Sequence, residues 1–206
     1  MTNTYGNGDE SLEKQPLDLP FISDAQELKN MVGESSERVR NKVISYVDPH
    51  VQNFITKSPL FFLSTSDQDG KCDVSPRGDE PGFVRVFDPH RLVYPERPGN
   101  RRIDSLLNIL SDSGVGMLFV IPGLNEVLRI NGTARITKDE EFIASMNWSG
   151  KTIGAAVIVE VEECFIHCPR AFNQAGLWDA TTWSKTEELP SASELLQAHL
   201  QINGLN

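Results

Sequence analysis

The sequence is short of positive charge. It carries 19 lysines and arginines against 29 aspartates and glutamates, a formal net charge of −10. That deficit argues against a general binder of nucleic acid or anionic membrane, because both surfaces demand a cationic footprint. Long hydrophobic runs are missing as well: no stretch approaches the roughly 20 apolar residues of a membrane span. Residues 1–20, "MTNTYGNGDESLEKQPLDLP", are polar with no apolar h-region, so no secretory signal is expected. Cysteine is scarce, with only Cys72, Cys164 and Cys168. An odd number without a signal fits free thiols in a reducing compartment, and a cytoplasmic location is expected. Histidine is scarce and scattered, at His50, His90, His167 and His199. None lies beside a plausible nucleophile, so no catalytic residue is assigned. "CFIHC" gathers Cys164, His167 and Cys168. Strand alternation sends Cys164 and His167 to opposite faces, and no second Cys/His pair supplies a fourth ligand, so no metal is expected.

What remains is ordinary globular material. The 206 residues, 39% of them hydrophobic, suffice for one domain with a substantial core. Residues 1–20 read as an arm and 21–58 as a helical segment. Ser23 and Gln26 suggest a capping box before "AQELKNMV", which Gly33 ends. Val39, Val43 and Val47 suggest a second helix over "SERVRNKVISYV". Asp48-Pro49 restarts a helix as N-cap and first residue, and Ser58-Pro59 stops it.

The pattern then turns to strands over 59–180. "LFFLSTS" and "KCDVSP" flank the turn "DQDG". "GFVRVF" and "RLVYP" flank "DPH". A helix after Asn100 places Ile103, Leu106, Leu107 and Leu110 on one side. "VGMLFVI", "EVLRINGTARIT" and "AAVIVEVEECFIH" are further strands, with a short helix at "KDEEFIASMNW". Residues 181–206 form a polar tail with a helix around "ELLQAHL", introduced by Ser191 and Glu194. Six or seven mostly antiparallel strands with peripheral helices predict an α+β barrel.

One stretch departs from the acidic background. Residues 77–102 hold six arginines and four acidic residues. Within it, "YPERPGNRRIDSLLNIL" brings Arg101 and Arg102 to a predicted helix start, with Asn100 as N-cap. Cations there oppose the helix dipole, and an anion at the same spot would offset that cost. Phosphate is one such anion; pairing with Asp79, Glu80, Asp88 and Glu96 on a solvated face is the alternative. A second stretch, "DVSPRGDEPGF", puts Ser75 and Arg77 on one face of a strand if alternation survives Pro76. Pro76 marks that strand as an edge or a bulge. A strand edge that meets a planar polar ring and a turn-rich connector are both compatible with it.

These motifs, with "VGMLFVIPGLNEVLRINGTARIT" and "FIHCPRAFNQAGLWD", resemble the pyridoxamine 5'-phosphate oxidase-like FMN-binding split-barrel proteins. The likeness is greatest to a subgroup of FMN-dependent proteins marked by DVSPRGD and RPGNRR segments, and it spans about residues 59–183. The resemblance implies a six-stranded antiparallel split β-barrel acting as a homodimer, with FMN in two clefts between subunits. It places the FMN phosphate at Asn100, Arg101 and Arg102, and the flavin along Val74, Ser75, Pro76 and Arg77. Trp178 is a candidate for one cleft wall or for the dimer interface. The oxidases carry a C-terminal Arg/His segment for the substrate phosphate. Here that region reads "HCPRAFNQAGLWDATTW", a departure that points away from pyridoxamine phosphate. The implied function is an FMN-dependent oxidoreductase acting on a small molecule. A non-catalytic flavin, deazaflavin or haem binder of the same fold is the alternative, and a barrel that serves only dimer contacts is a third.

Overall fold

A computed structural model describes residues 17–205. Residues 1–16 of the expected arm lie outside the described residues. In chain order the elements are α1 (Ala25–Val32), α2 (Glu37–Arg40), α3 (Pro49–Lys57), β1 (Leu60–Ser66), β2 (Cys72–Gly78), β3 (Arg85–Asp88), β4 (Arg91–Pro95), α4 (Asp104–Ser111), β5 (Gly114–Val120), β6 (Val127–Thr137), α5 (Glu140–Ser145), β7 (Ala156–His167), α6 (Arg170–Gln174) and α7 (Ala192–Ile202). They fall into two compact units. One is Ser35–Ala180; the other joins the described residues up to Glu34 with those from Thr181 onward. Among the described residues no helix is long and apolar enough to cross a membrane.

The Ser35–Ala180 unit is a seven-stranded sheet in the order β2-β1-β5-β6-β7-β4-β3, antiparallel throughout. Seven strands stand where the resemblance implied six, because the short β3 pairs only with β4. The backbone ladder is open, ending at β2 and β3. Packing curls it nonetheless. Phe61 of β1 and Tyr94 of β4 are separated by three strands, yet their rings meet edge-on at 5.1 Å. Phe61 also stacks on Phe83 at 5.7 Å and meets Phe119 at 5.2 Å, so its ring is the centre of the core. The result is the α+β split barrel.

Local sequence explains most boundaries. Asp48 caps α3 by accepting from Val51 N–H at 2.8 Å, with Pro49 as the first helical residue. Ser58, wholly inside, donates to Val120 O at 2.7 Å and ties the end of α3 to β5. β6 and β7 carry a bulge at Asn131/Gly132. A Cβ on Gly132 would lie 1.9 Å from Glu160 O, so only glycine fits that crossing.

Three helix expectations change. Asp24, not Ser23, caps α1, accepting from the N–H groups of Gln26 and Glu27. The valine helix stops after one turn at Arg40, because Ile44 exchanges backbone hydrogen bonds with Cys164. That pairing is long-range and cannot be read from spacing. Helix α4 begins at Asp104, three residues later than expected. Its inward residues are Ser105, Leu106 and Ile109, while Ile103, Leu107 and Leu110 are exposed. In the second unit, Ser191 caps α7 by accepting from Glu194 N–H at 3.3 Å, as expected.

Candidate functional site

β2 lies at the sheet edge, which tolerates Pro76. Its alternation survives the proline. Asp73, Ser75 and Arg77 turn to one side, half-buried, while Cys72, Val74 and Pro76 are exposed. The inner side lines a cleft of about 500 Å3. The opposite wall comes from the loop that runs from β4 to α4, with Glu96, Arg97, Gly99, Asn100 and Arg102, while Asp104 and Ser105 of the first turn of α4 close the cleft beside β2. Two motifs about 25 residues apart in the sequence therefore share one cleft.

Ion pairs stitch the walls where no ladder does. Arg77 Nη1 lies 2.7 Å from both oxygens of Glu96, and both side chains are largely buried. Arg97 Nη2 lies 2.6 Å from Asp79 Oδ2 and also donates to Ser149 O. β2 and β4 are not neighbours in the sheet, so these pairs bridge the open side of the barrel. Asp79 and Glu96, and Asp88 through Arg91, thus pair with arginines of this region, but the Arg77–Glu96 and Arg97–Asp79 pairs are largely buried and do not lie on a solvated face.

The wall is also hydroxyl-rich. Ser105 Oγ donates to the Asp73 carboxylate, lies 3.0 Å from Ser75 Oγ, and is buried. Arg77 Nε donates to Ser75 Oγ at 3.3 Å. Among the described residues the buried Tyr94 hydroxyl has no hydrogen-bond partner. Burial pushes the Tyr94 phenol far above its ordinary range; the nearby Arg77 cation opposes that shift and the Glu96 carboxylate adds to it.

The loop wall differs from its expected form. Asn100 does not cap α4. Its Oδ1 accepts from Arg102 N–H at 3.0 Å, closing a turn ahead of the helix. Arg101 takes a left-handed backbone, φ 68°, which non-glycine residues rarely adopt. Arg101 and Arg102 therefore precede the first helical turn, and the dipole penalty expected for them does not arise. Arg102 lines the cleft and donates through Nε to Asp104. Arg101 is exposed and outside the lining.

Of the other expected contacts, Ser75, Pro76, Arg77 and Asn100 line the cleft. Val74 does not. It is 64% exposed on the other face, beside a shallow hollow with Phe62 and Leu118. Within this chain Trp178 covers no cleft wall. Its Nε1 donates to Leu124 O at 2.9 Å and its ring meets Phe172 edge-on. Sequence reading missed Asp73, Glu96, Arg97 and Ser105. The period of two that paired Ser75 with Arg77 already included Asp73.

The family model described as pyridoxamine 5'-phosphate oxidase matches residues 47–169, more than half of the chain. The chain belongs to the pyridoxamine 5'-phosphate oxidase family. Solved structures similar to it include three from different bacteria. HupZ of Group A Streptococcus is 21% identical, with 58% of this chain and 93% of that chain covered at a TM-score of 0.46. A candidate pyridoxamine 5'-phosphate oxidase of Lactobacillus delbrueckii is 24% identical, with 59% and 95% covered at 0.47. An FMN-binding protein of Syntrophomonas wolfei is 8% identical, with 57% and 83% covered at 0.45. Comparison with curated proteins finds no match.

Proposed function

We propose that the cleft binds FMN and that the protein is an FMN-dependent oxidoreductase acting on a small molecule. The observation that carries this reading is the convergence of the Ser75–Arg77 strand and the Asn100–Arg102 loop on one cleft of cofactor size. The residues suit the group. Asn100 and Arg102 offer donors for a phosphate, Arg97, held by Asp79 and the carbonyls of Ser149 and Lys151, flanks them, and the β2 wall offers polar side chains to the remainder. A bound flavin supplies hydride or electron transfer, while the protein supplies position and electrostatics. Arg77 and Glu96 hold the two walls in register, and Ser75 orients what lies between them. Pyridoxamine phosphate is not the proposed substrate: Arg170, the one arginine of the segment that departs from the oxidase pattern, is exposed and outside the lining.

We also propose a homodimer. Ile103, Leu107 and Leu110 leave an apolar stripe on α4 beside the cleft, and Val74 adds another apolar point on the far face of β2. A second copy covering them would wall the cleft further, and light scattering should then give about twice the 22.9 kDa chain mass. Flavin fluorescence titration tests the cofactor. FMN should bind at least about tenfold tighter than riboflavin, since charged hydrogen bonds to its phosphate contribute roughly 1.5–3 kcal/mol. Arg102→Ala should narrow that ratio. Equal affinity of the two flavins overturns the phosphate assignment.

A further inference from the structure

Arg77, Ser75, Ser105 and Asp73 form one hydrogen-bonded chain along the cleft wall. Its direction follows from counting protons. A hydroxyl has one proton and two acceptor lone pairs, while an ionised carboxylate only accepts. Asp73 takes the Ser105 proton. Ser105 can then only accept from Ser75, across 3.0 Å. The Ser75 proton is committed too, and Arg77 Nε–H occupies one of its lone pairs. What Ser75 still offers to the cleft is a single acceptor site. Ser105 borders the cleft but is only 3% exposed and its proton is held by Asp73; Ser75 is half-buried at the wall.

We propose that Ser75 reads its ligand as an acceptor only, selecting molecules that present a hydrogen-bond donor, O–H or N–H, at this point. Asp73 is the positioning residue that sets this polarity through Ser105. The inference rests on the flavin reading, under which the donor is a hydroxyl of the ribityl chain. A carbonyl or phosphate oxygen placed there meets a lone pair and is rejected. The cleft is thereby polarised, with donors at Asn100 and Arg102 and an acceptor at Ser75.

Fluorescence titrations with FMN, riboflavin and lumiflavin, which lacks the ribityl hydroxyls, test this in the full chain. Wild type should prefer riboflavin to lumiflavin by about fivefold or more, the effect of one good hydrogen bond. Asp73→Ala frees the Ser105 proton, and Ser105→Ala frees the Ser75 proton. In either variant the riboflavin preference should fall about fivefold while the FMN-to-riboflavin ratio stays unchanged. A merely structural role for Asp73 would move both ratios together. If Asp73→Ala does not fold, judged by its thermal melt without ligand, Ser105→Ala carries the same comparison. A riboflavin preference that survives both substitutions overturns the relay and leaves the flavin reading standing. Failure of every flavin to bind wild type overturns both.

Discussion

The two walls of the cleft are built differently. The β2 wall is a strand held by a seven-residue register against β1, with half-buried side chains locked by mutual hydrogen bonds. The loop wall is short and exposed, and it includes a left-handed arginine and an Asn100 turn in place of helical backbone. A strand places hydroxyls to fractions of an ångström, which suits a neutral, directional contact. A loop that brings the paired Arg97 and the more exposed Arg102 together suits a diffuse charge such as phosphate. Backbone regularity and polarity thus change together across the cleft.

The contrast breaks most visibly at Arg77. Arg77→Ala leaves Glu96 as a largely buried carboxylate with no cation, and should destabilise the unligated protein by about 3 kcal/mol. Chemical denaturation measures this. A loss under 1 kcal/mol would mean that water screens the pair and that the strand wall is no more rigid than the loop.

A smaller effect is expected behind that wall. Tyr94→Phe removes a buried hydroxyl that has no partner among the described residues, and should stabilise the unligated protein by about 1 kcal/mol. The variant should also change the alkaline limb. A phenol whose pKa is raised in the fold keeps its contribution below the ordinary value of 10.0 and loses it as pH climbs beyond. Wild type should therefore lose stability faster than Tyr94→Phe above that pH. Parallel curves would place a water or another partner on the hydroxyl.

The smallest change belongs to the loop. Arg101→Gly relieves a left-handed arginine but adds freedom to the unfolded chain, for a net gain of about 0.5 kcal/mol. With Arg101 outside the lining, flavin affinity should move little. A large loss of FMN affinity would return Arg101 to the phosphate site and make the loop wall as specific as the strand.

Much of this was legible along the chain. The Asp48-Pro49 cap, the β1–β2 hairpin, the edge character of β2 and the shared face of Ser75 and Arg77 all follow from local chemistry at spacings of a few residues. Helix α4 was misread at its start because Asn100 can cap a helix or close a turn, and the choice depends on where the sheet delivers the chain. Which of its apolar residues turn inward is open in the sequence for a related reason. Leu107 and Ile109 are equally hydrophobic, and only the position of β1 and β6 decides which turns inward.

The sequence by itself determined the acidic balance, the strand-rich class, the motif residues and most of their periodicity, since these depend on composition and nearest neighbours. Only the tertiary structure decided that Arg77 meets Glu96, that Ser105 joins Asp73 to Ser75, and that Val74, Arg101 and Trp178 stand outside the cleft. Each of those facts depends on how the open sheet curls, and the curl is set by packing around Phe61 between strands distant in sequence.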